Sequence, residues 1–176
     1  MSYKFRLKDI KALVFDVDGV FTNGTLLLLP DGSMSRTMNV LDGYAVQKAI
    51  KKGLIVAIIT GGNDPQVAQR MRYLGITDIY MKSANKLDDY QDIKDKYQLD
   101  DSQMLYMGDD LPDYHVMKKV SIAACPANAV PEIKAIAHYI SPQKGGEGCV
   151  RDVIEQVMKI HGSWTEEGMN DNTQSI

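Results

Sequence analysis

The run Ala12-Leu-Val-Phe15 is apolar at every position, and it ends directly in Asp16-Val-Asp18-Gly19. A strand with no polar alternation is one covered on both faces, the habit of a parallel sheet flanked by helices. Leaving an unpaired carboxylate buried at its end would cost on the order of several kcal/mol. Two acids there imply either a solvated loop, whose chemistry also favours Asp and Gly, or a bound cation. A second acidic cluster separates those readings. Met104-Leu-Tyr-Met107 is again apolar and runs into Gly108-Asp109-Asp110-Leu-Pro112-Asp113.

In a doubly wound sheet the carboxyl ends of the strands converge on one crevice, where ligands bind. Acidic clusters from two strand ends would repel one another there unless a hard cation offset them. Mg2+ suits such a place, because it takes oxygen ligands, keeps several waters and shares phosphate oxygens. Asp113 also has an ordinary reading, as an acidic first-turn residue of a helix opened by Pro112.

Short apolar runs and amphipathic segments alternate through the rest of the chain. Strands are expected at 54–59, 78–81, 104–107, 121–124 and near 139–140, and helices at 42–52, 65–74, 86–97, 111–119, 131–138 and 150–161. This rhythm predicts an α/β fold, a three-layer Rossmann-like parallel sheet forming one domain over residues 1–162. The polar tail, 163–176, is expected to be disordered.

One insert interrupts the rhythm. Residues 25–29 and 34–40 flank Pro30-Asp31-Gly32, the signal of a β-hairpin flap over about 24–40. The first arm carries four consecutive leucines, Leu26 to Leu29. A lone hairpin cannot bury both faces, and an exposed apolar edge invites association. The flap is therefore expected to pack against another subunit.

With 176 residues and a formal charge of −3, the chain lacks the basic face that a nucleic-acid partner requires. It has no apolar run of about 18 residues and no leader-like N-terminus, so a soluble, cytoplasmic protein is expected, with no membrane partner. Cys125 and Cys149 lack CxxC spacing and read as reduced thiols. The histidines, His115, His138 and His161, are scattered, and none is placed as a base or metal ligand.

The second strand ends Ile58-Ile-Thr60-Gly61-Gly62-Asn63, and Asp64-Pro65 opens the next helix. A hydroxyl, two glycines and a helix N-terminus can cradle phosphate oxygens, although a glycine pair also serves a tight turn. Lys86 stands at the start of a helix, where the dipole disfavours a cation, so an anionic ligand is expected near it.

The ordered set Asp16-x-Asp18, Thr60, Lys86 and Gly108-Asp-Asp-x-x-Asp113 resembles the four motifs of the haloacid dehalogenase superfamily. The resemblance covers nearly the whole chain. It implies that Asp16 is the nucleophile forming an aspartyl-phosphate, and that Asp18 is the general acid and then the base. Thr60 and Lys86 would hold the phosphoryl oxygens. Mg2+ would be held by Asp16, Asp109 and the main-chain carbonyl of Asp18, with Asp110 and Asp113 in support.

The chain has no room for a cap domain. Its hairpin, the Asp42-Gly43-Tyr44 step and the stretch from Gly145 to Arg151 resemble the 3-deoxy-D-manno-octulosonate 8-phosphate phosphatase group. That resemblance implies a sugar acid phosphate substrate of the lipopolysaccharide route and a homotetramer built through the hairpin. Many members carry Arg where this chain has Gly62 and Asn63. Arg70 on the following helix then becomes the candidate for the sugar acid, beside Gly61, Gly62 and Asn63. A phosphatase for nine-carbon sugar acid phosphates (nonulosonates) shares the same motifs. A receiver-like signalling module would order them differently, and an idle oligomerisation module would not need them.

Overall fold

The computed structural model describes residues 3–165. The chain runs α1 (Tyr3–Leu7), β1 (Ala12–Phe15), β2 (Leu27–Leu28), β3 (Met34–Ser35), α2 (Val40–Lys51), β4 (Ile55–Ile59), α3 (Pro65–Tyr73) and β5 (Asp78–Tyr80). It continues through α4 (Lys86–Tyr97), β6 (Met104–Met107), α5 (Tyr114–Met117), β7 (Ile122–Cys125), α6 (Pro131–Ile136), β8 (Tyr139–Ile140) and α7 (Cys149–Ile160). Single 3-10 turns at Asp101–Gln103 and Leu111–Asp113 precede β6 and α5.

Six strands pair in the order β5-β4-β1-β6-β7-β8, every neighbour parallel. Successive side chains of β1 part to opposite faces, as a strand requires. Leu13 and Phe15 join the core under α1, α2, α3 and α7, whereas Ala12 and Val14 join the one under α4, α5 and α6. Both faces are thus covered, and the run of apolar residues in β1 is explained. From β1 the chain first builds outward through β4 and β5, then crosses to β6 and builds the other way. The crevice between the carboxyl ends of β1 and β6 is therefore the switch point of the sheet.

Helix starts follow the side chains that cap them. Asn39 accepts from the Leu41 N–H ahead of α2, Asp64 from the Gln66 N–H ahead of α3, and Asn85 from the Leu87 N–H ahead of α4. The hairpin exists, but only two residues pair on each arm, Leu27 with Ser35 and Leu28 with Met34. The helix expected over 111–119 is instead a 3-10 turn followed by the four residues of α5. Asp110 caps that turn, and Asp113 bends inward from it. Helix α1 has no counterpart among the expected helices. Order also extends beyond residue 162, since Ser163 donates to the Met158 carbonyl and Trp164 packs edge-on against Tyr44. Residues 166–176 of the expected tail lie outside the described residues. Among the described residues no helix is long and apolar enough to cross a membrane.

Candidate active site at the switch point

A cleft of about 710 Å³ opens at the carboxyl edge of the sheet, lined by Asp16, Asp18, Gly61, Gly62, Thr60, Lys86, Asp109 and Asp110 among others. Asp16 follows β1 directly and is buried, with Oδ1 accepting from the Val17 N–H at 2.7 Å. Asp109 follows β6 through Gly108, and Lys86 reaches in from the first turn of α4. The Lys86 ammonium lies 3.0 Å from Asp16 Oδ2 and 2.7 Å from Asp113 Oδ1. The cation at this helix start is thus held by the protein's own carboxylates, not only by a ligand still to come.

Asp113 is wholly buried and saturated. Its Oδ1 accepts from Lys86 Nζ and, at 2.6 Å, from the Tyr106 hydroxyl; its Oδ2 accepts from the N–H groups of Asp109 at 3.0 Å and Asp110 at 3.4 Å. With both oxygens occupied, it acts as a brace that fixes the Asp109 turn and the Lys86 ammonium. Asp109 is the opposite case, because its buried Oδ1 accepts no hydrogen bond from any described residue. A buried acceptor left unpaired is costly. Carboxylate oxygens of Asp16, Asp109 and Asp113 lie within 4.8 Å of one another, close enough to share one ion.

The electrostatics agree with that need. Burial, then the neighbouring Asp113, push the Asp16 carboxyl up to about 7 against the opposing pull of Lys86. Burial, then Asp113 and Asp110, push Asp109 up to about 7 as well. Burial opposes the charge on Lys86, but Asp113 and Asp16 outweigh it and raise its pKa. A divalent cation between Asp16 and Asp109 would remove the mutual repulsion and fill the open lone pair of Asp109. All-oxygen donors of this kind fit Mg2+.

On the facing wall, Thr60 closes β4, its Oγ1 accepting from the Gly62 N–H at 3.1 Å. The cradle is tied to the loop before α4, with the Ser83 N–H on the Thr60 carbonyl and the Lys82 N–H on the Gly62 carbonyl. Two glycines set the floor. Gly19 has φ +84°, and a Cβ there would stand 2.0 Å from Asp109 Oδ2. A Cβ on Gly145, in the loop before α7, would stand 1.9 Å from the Gly19 carbonyl oxygen. The turn after Asp16 and Asp18 is therefore wedged between Asp109 and the 145–148 loop, with the Gly146 N–H on the Val20 carbonyl.

Asp42 holds that loop from behind. It is fully buried, and its Oδ1 accepts from the Arg151 N–H at 2.8 Å, capping α7, whose own N-cap residue is Gly148. Its Oδ2 has no partner among the described residues, and burial raises its pKa to about 6.

Asp18 lies at the cleft mouth, beside the residue that sequence reasoning missed. Arg36, just past β3 of the hairpin, donates from Nε to Asp18 Oδ1 at 2.6 Å and from Nη2 to Asp18 Oδ2 at 3.3 Å. Its Nη1 donates to Asp64 Oδ2 at 3.0 Å. His115 also lines the cleft, one residue beyond Tyr114, though no histidine was expected there. Asn63 and Arg70 do not line it. Asn63 lines a smaller groove between the hairpin and the start of α3. Arg70 stacks over the Tyr73 ring at 5.6 Å, and a Cβ on Gly43 of α2 would stand 2.8 Å from its Nη2.

Residues 72–154 match the family model of haloacid dehalogenase-like hydrolases. The 3-deoxy-D-manno-octulosonate 8-phosphate phosphatase of Escherichia coli (strain K12) is 35% identical over 161 residues, spanning 92% of this chain and 86% of that protein. The Yersinia pestis protein of the same name is 36% identical over 153 residues, spanning 87% and 82%. Its crystal structure superposes with a TM-score of 0.90 at 34% identity, covering 92% of this chain and 88% of that one. The Moraxella catarrhalis enzyme, solved with magnesium, phosphate and KDO, superposes at 0.89 with 30% identity, covering 92% and 93%.

Proposed function

Since the chain belongs to the family of 3-deoxy-D-manno-octulosonate 8-phosphate phosphatases, we propose that it hydrolyses this sugar acid phosphate to the free acid and inorganic phosphate in a Mg2+-dependent reaction through Asp16. The observation that carries the reading is the cluster of the buried Asp16 and Lys86 with the partly buried Asp109, which has one unpaired oxygen and carries a carboxylate oxygen within 4.8 Å of one on Asp16 at the switch point. Asp16, Asp109 and the main-chain carbonyl of Asp18 would hold the ion. When bound, Mg2+ screens the negative charge between a carboxylate nucleophile and a phosphate.

The remaining chemistry belongs to the side chains. Lys86 and Thr60, with the Gly61 and Gly62 main chain, would hold the phosphoryl oxygens and orient phosphorus for in-line attack by Asp16. Lys86, 3.0 Å from Asp16, favours its ionised form against the burial and the Asp113 charge that oppose it. Asp18, at the mouth, would protonate the departing sugar oxygen and then take the proton of the water that cleaves the phosphorylated Asp16. Asp113 and Asp110 would brace the Asp109 turn.

We propose further that the chain is a homotetramer assembled through the hairpin. Leu27 and Leu28 are 63% and 73% exposed, and Met34 beside them is 46% exposed, an apolar surface that two paired residues per strand cannot cover. With Arg70 and Asn63 outside the chain's own cleft, the sugar carboxylate would be read at the open rim near Gly62, completed by a neighbouring subunit. The two buried, free cysteines suit a reducing compartment such as the cytoplasm.

The nine-carbon alternative is decided by kinetics. The ratio of kcat/KM for the octulosonate 8-phosphate to that for a nonulosonate 9-phosphate is expected to favour the eight-carbon substrate clearly. A ratio favouring the nine-carbon ester would replace the substrate while leaving the chemistry in place.

A further inference from the structure

Asp18 has a single anchor. Among the described residues, no group other than the Arg36 fork donates to its carboxylate, and its side chain is 40% exposed against 9% for Arg36. A half-exposed aspartate without that fork would be free to turn into solvent. The fork fixes both oxygens in one plane, the bidentate geometry that arginine provides and lysine cannot. Arg36 is itself fixed from the other side by Asp64, the cap of α3. Gly62 lies beside this arrangement: a Cβ there would be in ordinary van der Waals contact, 3.5 Å from Asp18 Oδ2 and 3.9 Å from Arg36 Nη2.

We propose that Arg36 is a positioning residue that holds Asp18 as the proton acceptor of the second half-reaction, and so makes the hairpin part of the catalytic apparatus. The proposal rests on the covalent reading of Asp16 given above. In that step a water oxygen bonds to phosphorus, and the bond from phosphorus to the Asp16 oxygen breaks. Its electron pair returns to the Asp16 carboxylate, one water proton passes to Asp18, and inorganic phosphate leaves. A carboxylate whose two oxygens lie in an arginine fork is already turned as an acceptor. It needs no reorganisation when the water arrives.

The step can be run by itself, without any sugar. The Mg2+-loaded protein should exchange oxygen between water and 18O-labelled inorganic phosphate, because phosphate can phosphorylate Asp16 and be released again. Arg36→Gln is expected to slow this exchange by roughly 10- to 100-fold, the cost of misplacing a reacting group. Its inhibition constant for inorganic phosphate should barely move, a split that general loosening of the fold would not produce. Arg36→Lys, a charge without the fork, is expected to recover exchange only in part, and it serves alone if Arg36→Gln does not fold. Exchange at the wild-type rate in whichever variant folds would overturn the role. So would exchange and phosphate binding falling together. Asp18→Asn measured alongside distinguishes the levels: exchange lost there but intact in the Arg36 variants overturns only the assignment of Arg36. Exchange persisting in Asp18→Asn, or absent from the wild type, overturns the reading beneath it and the proposal with it.

Discussion

Lys86 Nζ stands 2.7 Å from Asp113 and 3.0 Å from Asp16, so one buried ammonium joins the acid that follows β1 to the acid that braces the turn after β6. Removing one partner of a buried ionic network leaves the others uncompensated. Lys86→Met is therefore expected to abolish turnover and to lower the stability of the metal-free protein by about 3 kcal/mol. Chemical denaturation in EDTA checks this; an unchanged midpoint would mean that the acids find other compensation.

Stability without metal should fall as pH rises. Asp16 and Asp109 are pushed up to about 7 and Asp42 to about 6, all above the ordinary 3.8. Between those values the folded state binds more protons than the unfolded chain, so the slope of unfolding free energy against pH is negative. The metal-free melting temperature is expected to decline from about pH 4 to about pH 7, and Asp109→Asn should flatten the decline. Mg2+ should raise the melting temperature far more at the upper end of that window, because binding there displaces fewer protons. A metal effect independent of pH would contradict the assignment of Asp16 and Asp109 as its ligands.

Gly19→Ala and Gly145→Ala test how tightly the turn after Asp16 and Asp18 is wedged. The first adds a methyl 2.0 Å from an Asp109 oxygen at a positive φ; the second adds one 1.9 Å from the Gly19 carbonyl. Each is expected to cost about 1–3 kcal/mol of stability, the range of overpacking. Both should weaken activation by Mg2+, read from turnover against metal concentration. Activation curves identical to wild type would show that the turn tolerates displacement.

The paired substitution of Leu27 and Leu28 by Ser removes most of the apolar surface of the hairpin. Sedimentation velocity is expected to show dissociation of the proposed tetramer. A variant that sediments like the wild type would locate the interface elsewhere.

Strand ends were the legible part of this chain. Asp16, Thr60 and Asp109 each close an apolar run, and a parallel sheet brings such ends to one edge, where the structure indeed places them. Arg36 carried no comparable signal. It lies beyond a two-residue strand with no periodicity, and only the folding back of the hairpin brings it to Asp18. Arg70 is a candidate through the family resemblance, which matches it to an arginine on this helix, and position alone carries no such signal. In the structure it does not line the cleft and stacks over Tyr73, three residues on, a natural packing partner at that helical spacing. Asp113 was open to a plain reading as a first-turn acid. Its four hydrogen bonds are made from the end of a 3-10 turn, where the expected helix would have started, with the carboxylate buried.

The most direct test is release of inorganic phosphate from 3-deoxy-D-manno-octulosonate 8-phosphate by wild type and Asp16→Asn, each with Mg2+ and with EDTA. Turnover is expected from the wild type with Mg2+ alone. Turnover by Asp16→Asn, or by the wild type in EDTA, would contradict a metal-assisted attack by Asp16.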